Sequence, residues 1–513
     1  MSPVPCRRRG SGAIGGGRFG RAGGLDDLDG LGIAGGWRQS WNGVVEIKIF
    51  NTLQGRKQRF RPLHPGRVKM YVCGPTVYSH PHIGNARAAV VFDVLYRLLR
   101  RSYAEVIYVR NVTDVDDKIN AAAEREGVSI REIAERYSRI YGEDMKALGV
   151  EPPVKEPRVT ENMPAIVGMI ERLLSRGHAY QAQGHVLFHV PGFPEYGRLS
   201  GRDRGDMIAG ARVEVAPFKR DPADFVLWKP AASGQAAWES PWGRGRPGWH
   251  IECSALVAAH LGETIDIHGG GQDLVFPHHE NEIAQSSCAH DGREFCRYWV
   301  HNGLVRTKSR KMSKSLGNIL LLREVLREMP AEAARYTLLN THYRSPLDWT
   351  PEATELAGRN LDRLYQALRR AAPGMAPGMA AGPAEDAAAA APLPEGFLAA
   401  LADDLNTPLA LRALQQAARR LNSDTDAATR AREAASIRAA GELLGLLRQD
   451  PEAWFAADTE SIDEAKIERL LALRDSARHS GNFRKADAVR EELREMGVVL
   501  QDGPGGTLWR RRR

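Results

Sequence analysis

The sequence lacks any run of about 18 uninterrupted apolar residues, the length a membrane-spanning helix requires. A transmembrane segment is therefore not expected. Cysteine is scarce: Cys6, Cys73, Cys253, Cys288 and Cys296 are scattered over 513 residues. Five such residues make no disulfide framework, so a reducing cytosol is the expected compartment, with metal or substrate roles left open. The body of the chain also lacks an excess of one charge. The formal net charge is +8, from 71 basic and 63 acidic residues, but residues 1–44 hold six Arg against three Asp and the chain closes on Arg510–Arg513. The ends produce most of the excess, so net charge says little about a nucleic-acid partner. No methionine lies between Met1 and Met70, and 13 of the first 44 residues are Gly. That stretch has neither the apolar centre of a secretory signal nor an amphipathic face. It is read as a disordered extension or a misassigned start, with a shorter chain beginning at a non-Met codon such as Val44 or Val45.

What is present fits a globular protein: 43% hydrophobic and 26% charged residues, enough chain for three to four domains at roughly 100–200 residues each. Order is expected from "VVEIKIFNTL". "RVKMYVCGPTV" reads as a buried strand ending in a turn. "NARAAVVFDVLYRLLRR" has apolar residues at helical spacing and basic residues at its end, where they suit the helix dipole. "AEVIYVRNVTD" reads as the next strand. Strand, loop, helix and strand in this order predict a βαβ unit and a parallel sheet. Residues 118–148 read as helical. Residues 155–240 are mixed and read as an insertion, after which "GETIDIHGGG" resumes the strand pattern. Beyond about 320 the chain is mostly helical, with an Ala/Pro/Gly-rich linker over 371–395. Two further helices broken at Ser-Gly-Asn and a hairpin around Gly-Pro-Gly-Gly close it.

Three stretches carry chemistry. "YSHPHIGNAR" (78–87) lies between a strand and a helix, where backbone N–H groups make a natural phosphate site. His80 and His82 add donors, and Gly84 admits a close approach to the backbone. Alone, the stretch reads equally well as a turn with surface histidines. "RTKSRKMSKSLGN" (306–318) places five basic residues in nine positions. It is either a solvated basic loop or one whose lysines meet the charge growing on a leaving pyrophosphate. "FPHHENEIAQ" (276–285) packs two His and two Glu into five positions. If Pro277 opens a helix, His278 and Glu282 stand at i and i+4 on one face and can chelate one ion. His279 is about 100° further round and can pair with Glu282 at i+3. Spacing leaves both histidines open.

"HIGN" at 82–85 followed by "KMSKS" at 311–315 resembles the paired signatures of class I aminoacyl-tRNA synthetases. "MYVCGPTVY", "NVTDVDDKI", "GWHIECSA", "DIHGGGQDLVFPHHENEIAQS" and "DDLNTP" narrow the resemblance to the cysteinyl-tRNA synthetases, over about residues 46–513. Asn85 departs from the His that usually ends the first signature. It can donate a hydrogen bond but cannot become cationic.

The resemblance implies an α/β fold: a Rossmann-like doubly wound catalytic domain over 45–345 with an insertion near 155–240. An α-helical bundle over 346–455 and a small C-terminal α+β, anticodon-binding domain over 456–513 are expected to follow. It implies one Zn2+ per chain held by Cys73, Cys253, His278 and Glu282, and Mg2+ accompanying ATP. His80, His82, Gly84, Asn85, Asp273 and Lys314 are implied at the ATP, with Lys314, Lys311 and His82 carrying catalysis. Gly74, Thr113, Trp249 and His268 are implied around the amino acid, His268 either behind the metal or against the substrate carboxylate. The implied partners are tRNA(Cys), ATP and L-cysteine, with no membrane, in a cytoplasmic monomer. Two alternatives remain. A cysteine ligase of mycothiol synthesis would share the catalytic core but lack the anticodon-reading end. A non-enzymatic zinc-stabilised RNA-binding protein would have no need of "KMSKS".

Overall fold

The computed structural model describes residues 45–202, 216–232, 234–307, 310–311, 319–371, 392–423, 426–456, 464–480, 482–496, 498–503 and 506–511. The N-terminal extension over 1–44, most of the "KMSKS" stretch and most of the 371–395 linker lie outside them.

In chain order, β1 (Lys48–Asn51) and β2 (Arg56–Arg59) form an antiparallel ribbon. They are followed by β3 (Arg67–Val72), α1 (Ile83–Ser102), β4 (Glu105–Arg110), α2 (Asp117–Glu126), α3 (Ile130–Ala147) and α4 (Met163–Ser175). β5 (Ala179–Ala182), β6 (His185–Phe188), β7 (Phe225–Pro230) and β8 (Gly245–Pro247) form an antiparallel sheet in that order. The chain then returns through α5 (Trp249–His260), β9 (Ile265–Gly271), α6 (Glu280–Ala289), β10 (Cys296–Asn302), β11 (Val305–Thr307) and β12 (Arg310–Lys311).

The central sheet has the order β10-β9-β3-β4, with every neighbouring pair parallel. Most residues of its strands are buried, whichever way they point, because both faces are covered. Val68, Met70 and Val72 of β3 point into one core with α1, while Tyr71 points into a second core with α5 and α6. This alternation follows from the two-residue period of a strand. The expected helix over 118–148 is two helices. Gly127 (φ 67°) takes the left-handed conformation that ends α2, and Ser129 starts α3 with a capping box to Glu132.

The helical body consists of α7 (Leu322–Glu328), α8 (Ala331–Leu339), α9 (Pro351–Ala371), α10 (Phe397–Ala402), α11 (Thr407–Ser423), α12 (Ala427–Leu444) and α13 (Pro451–Ala456). The short strand β13 (Leu347–Trp349) pairs in parallel with β11. α14 (Glu464–His479), α15 (Phe483–Glu495) and the hairpin β14 (Val498–Gly503)–β15 (Gly506–Arg511) end the chain around a small core of Ile467, Leu470, Val489, Leu493 and Val498.

A buried charge cluster joins α1 to the helical body. The side chains of Asp93 on α1 and Arg335 on α8 are fully buried and form an ion pair. Asp93 also accepts from Arg97 Nε (2.9 Å) and the backbone N–H of Glu151 (2.8 Å). Arg335 donates to the carbonyls of Leu444 (2.6 Å) and Leu148 (3.1 Å). Burial alone would raise the Asp93 pKa, but Arg335 and Arg97 hold it below the usual carboxylate value. Removing one partner strands the other charge in a dry site, at a cost of about 3–5 kcal/mol. Asp93→Ala is therefore expected to lower urea-unfolding stability by that amount. Lys57→Ala, which breaks the exposed Lys57–Asp403 pair (2.8 Å), should change it by about 1 kcal/mol or less. Equal small effects would show that the buried cluster contributes nothing to stability.

Candidate metal centre and nucleotide loop

The carboxyl ends of the four parallel strands converge on one crevice, the place where open α/β sheets bind ligands. Cys73 immediately follows β3, its N–H bonded to the carbonyl of Gly269 (3.1 Å). Asn111 and Thr113 follow β4, His268 lies on β9 and His301 on β10. α5 supplies Trp249, His250 and Cys253 from its first two turns. His278 and His279 lie in a π-helical turn leading into α6, whose first turn holds Glu282. The i, i+4 geometry expected for His278 and Glu282 is present: His278 Nε2 is 3.0 Å from Glu282 Oε1.

Cys73 Sγ lies 3.6 Å from Cys253 Sγ and 3.4 Å from Glu282 Oε1. Around a tetrahedral zinc, with Zn–S of about 2.3 Å and Zn–O of about 2.0 Å, the corresponding edges are about 3.8 and 3.5 Å. The donor set therefore fits a metal ion, and the cluster suggests a metal centre. Two overlapping groups have ligand atoms that all lie within 4.8 Å of one another: Cys73, Cys253, His278 and Glu282, and Cys73, His268, His279 and Glu282. Cys73 Sγ is 3.3 Å from His279 Nε2. The ambiguity between neighbouring histidines seen in the sequence is thus a geometric one as well.

The electrostatics separate the two groups. Burial pushes the His278 imidazolium down, but Glu282 and Cys253 outweigh it and hold its pKa at about 10. The hydrogen bond from Cys73 and the nearby His278 bring Cys253 down to about 6 against its burial. Cys73 is pushed well up by burial and by its bond to Cys253. Burial works against the charge on Glu282, yet His268 and His278 keep it far below the usual range. His279 is driven well down by burial and by His268. His250 and His301 both fall to about 3, first through burial. Thiolate, imidazolium and carboxylate therefore gather on the Cys253–His278–Glu282 side, while His279 stays neutral with its Nδ1 2.7 Å from His301 Nε2.

The other expected residues fall as follows. Trp249 is 40% exposed and stacks on the His278 ring at 4.2 Å. Thr113 is buried and donates to Glu252 Oε2 (3.2 Å). His268 is fully buried, 2.8 Å from Glu282 Oε2 and stacked on Trp299, which puts it behind the cluster. Gly74 is demanded by packing: a Cβ there would stand 1.6 Å from the carbonyl oxygen of Asn111. Asp273 is exposed just past the end of β9.

The start of α1 differs in detail from the open phosphate cradle that its position implies. His82 caps the helix, its Nδ1 accepting from the N–H groups of Gly84 (3.1 Å) and Asn85 (3.2 Å). In return, Asn85 Oδ1 accepts from the His82 backbone N–H (3.0 Å). With Nδ1 an acceptor, the neutral ring carries its proton on Nε2. Two of the expected anion-binding N–H groups are thus already satisfied. His80 packs edge-on against Tyr137 at 5.5 Å. Lys311 lies in β12, and Lys314 lies outside the described residues. The sequence reading missed Asn111, His250, Glu252 and His301. Asn111, His250 and Glu252 lie inside the words "NVTDVDDKI" and "GWHIECSA" but were given no role, and His301 lies in no such motif; the sheet brings them together.

Comparison with known proteins places these features in context. Residues 59–359 match the family model "tRNA synthetases class I (C) catalytic domain". Residues 396–448 match a DALR domain, and 464–510 match "Cysteinyl-tRNA ligase anticodon binding domain". The chain is 58% identical over 468 residues to the cysteine–tRNA ligase of Parvibaculum lavamentivorans, covering 91% of this chain and 98% of that protein. It is 55% identical over 470 residues to that of Rhodospirillum rubrum, covering 91% of this chain and 100% of that one. Among solved structures, Mycobacterium tuberculosis methionyl-tRNA synthetase with methionyl-adenylate shares the fold at TM-score 0.53 and 17% identity, over 76% of this chain and 93% of its own. The Agrobacterium radiobacter K84 agnB2 LeuRS–tRNA–LeuAMS ternary complex does so at 0.53 and 13%, over 79% and 86%.

The electrostatics give a solution test. The His278 pKa lies above its ordinary value of 6.5, so its pairing stabilises the metal-free protein fully below about pH 6.5. That contribution is lost as pH rises through about 10. Imidazole NMR of metal-free protein is expected to show His278 titrating far above the other histidines. A midpoint near 6.5 would contradict the geometry.

Proposed function

We propose that this chain, which belongs to the cysteine–tRNA ligase family, activates L-cysteine with ATP and transfers it to the terminal adenosine of tRNA(Cys). The observation that carries this reading is the group Cys73, Cys253, His278 and Glu282, set at the carboxyl edge of the sheet under an exposed Trp249. The 464–510 match to an anticodon-binding domain favours a tRNA over an amino sugar as acceptor.

In the first step an oxygen of the cysteine carboxylate attacks the α-phosphorus of ATP. A new P–O bond forms, the α–β bridging P–O bond breaks, and pyrophosphate leaves with the electron pair. His82, its proton directed to Nε2 by the cap, donates to a phosphate oxygen. Gly84 leaves the helix start unobstructed and Asn85 completes the cap. His80 lines the same loop, and Asp273 accepts from the ribose hydroxyls. Lys311 and Lys314 carry the charge that builds on the departing pyrophosphate. In the second step the 2′-hydroxyl oxygen of the tRNA adenosine attacks the activated carbonyl; the ester C–O bond forms, the acyl C–O bond to the phosphate breaks, AMP leaves with the electron pair, and the hydroxyl proton is released.

Cys73, Cys253, His278 and Glu282 are our choice of ligands for one zinc ion. Two sulfurs with one nitrogen and one oxygen suit zinc; Cys253 and Glu282 are biased towards their anionic, ligating forms, and the His278 imidazolium would release its proton on binding the metal. When bound, zinc supplies a Lewis acid that takes a thiolate far more strongly than an alcohol. That matters because packing alone separates near-isosteres such as cysteine and serine poorly. His268 orients the Glu282 carboxylate from behind. Trp249 covers the side-chain site, and Thr113 with Gly74 shapes its wall. Magnesium enters with ATP. The four described cysteines, all free, suit a cytoplasmic location, and we assign a monomer.

Zinc-loaded protein is expected to support ATP–pyrophosphate exchange with cysteine more than about 100-fold better than with serine, and then to charge unfractionated tRNA. Exchange without charging would favour the amino-sugar ligase. Its absence, with chelation unfolding the chain, would favour a zinc-stabilised RNA binder. Cys253→Ser and His278→Ala should each purify with far less than one equivalent of zinc. His268→Ala should weaken zinc about 10–100-fold. Zinc lost in His279→Ala but kept in His278→Ala would transfer the assignment to the other group.

A further inference from the structure

Arg87 on α1 is fully buried, with no ion pair among the described residues. Five backbone carbonyls surround its guanidinium. Nη1 donates to Gly303 (3.0 Å) and Leu304 (2.9 Å). Nη2 donates to His342 (3.2 Å), Tyr343 (3.4 Å) and Ser345 (2.6 Å). Its Nε is buried with no partner among the described residues. Removing the guanidinium would leave buried carbonyls without their donor, which costs stability for each that water does not reach. The geometry gives it a further role beside that stability.

The carbonyls come from two chain segments that meet beside α1. Gly303 and Leu304 link β10 to β11, from which the "KMSKS" stretch departs. Residues 342–345 form the turn before β13, the partner of β11. The segments are in close contact: the Gly303 N–H bonds to the Tyr343 carbonyl (2.7 Å) and the Leu347 N–H to that of Leu304 (2.9 Å). A Cβ on Gly303 would stand 2.6 Å from the Ser345 carbonyl oxygen. On the far side of the basic stretch the chain returns to the same helix. Ile83 N–H bonds to the Leu320 carbonyl (3.0 Å), Leu322 N–H to that of Pro81 (2.9 Å), and His82 bridges Leu321. The "HIGN" turn thus holds the exit through backbone pairing. The entry is bound by the Arg87 side chain, a little over one turn further along α1, beside the packing of Val305 into the core that α1 shares.

We propose that Arg87 is a positioning residue for amino-acid activation: it sets β11, where the lysine-bearing stretch begins, against the first turn of α1, where ATP phosphates bind. It touches no substrate. Its planar fork is suited to the task because it binds both segments at once, whereas an ammonium is a point donor. The proposal rests on the activation reading given above and adds the element that registers its two signatures.

The test is ATP–pyrophosphate exchange in Arg87→Met, Arg87→Lys and Gly303→Ala, with zinc content and thermal melting measured alongside. An error of about 1 Å in placing reacting groups can cost about 100-fold in rate. We expect Arg87→Met to lose about that much kcat, with the KM for cysteine within about twofold of wild type and zinc unchanged. Arg87→Lys should recover part of the loss. Gly303→Ala shifts the same junction without touching Arg87, and should reproduce the kcat-selective defect. It carries the test with Arg87→Lys if Arg87→Met does not fold. Wild-type kcat in the folded variants, or a loss confined to the KM for cysteine or to zinc, would overturn the proposal. No exchange in the wild-type protein would instead overturn the activation reading itself.

Discussion

A carboxylate buried away from water has to be met by cations or hydrogen-bond donors from several sides, or it does not stay ionised. Glu282 is such a group, with its side chain fully buried. His268 meets one oxygen, while His278 and Cys73 meet the other. These partners come from the middle of β9, the turn before α6 and the end of β3. They reach one point because β3 and β9 are parallel neighbours that end at the same edge. Cys253 joins from α5, which covers the opposite face of the sheet from α1. The architecture can be understood as the scaffold this one acid requires. Once it is ionised, the same arrangement gathers two sulfurs, an imidazole and a carboxylate within coordinating reach.

α1 plays the corresponding part for the nucleotide side. Its first turn is closed by the reciprocal His82–Asn85 cap, which fixes the orientation of the His82 ring. Its middle is tied through Asp93 and Arg335 to α8 and to the end of α12. Between the two, Arg87 gathers the carbonyls of the β10–β11 link and the 342–345 turn. One rigid rod thus links helical body, sheet and signature loop. Rigid support of this kind lets a few side chains act at fixed distances.

Much of this was legible in the residues. "HIGN" after an apolar strand marked the strand-to-helix turn, and "PHHENE" marked a chelating helix start. The break at Gly127 escaped notice because a helical pattern runs through it, and only the left-handed backbone ends α2 there. The choice between His278 and His279 was undecidable from spacing, since both lie within ligand reach of Cys73 and Glu282 in one or other grouping. The burial and charge that separate them are tertiary. His301 lies in no signature motif, and Asn111 and Glu252, though inside such motifs, show no role until the sheet is formed. Gly74 was placed around the amino acid by resemblance alone, and the backbone of Asn111 adds a packing reason for it that no local pattern shows. The N–H groups of Gly84 and Asn85 were read as free for phosphate. No spacing rule announces that a histidine ring will act as their cap. Lys314, the residue most expected in catalysis, lies outside the described residues, and its role rests on resemblance.

The most direct measurement of the central claim is X-ray absorption at the zinc edge of the wild-type protein, alone and with saturating cysteine or serine. The account predicts two sulfur neighbours with nitrogen and oxygen in the free protein, three sulfurs with cysteine, and no change with serine. One sulfur in the free protein, or a sulfur count indifferent to cysteine, would contradict it.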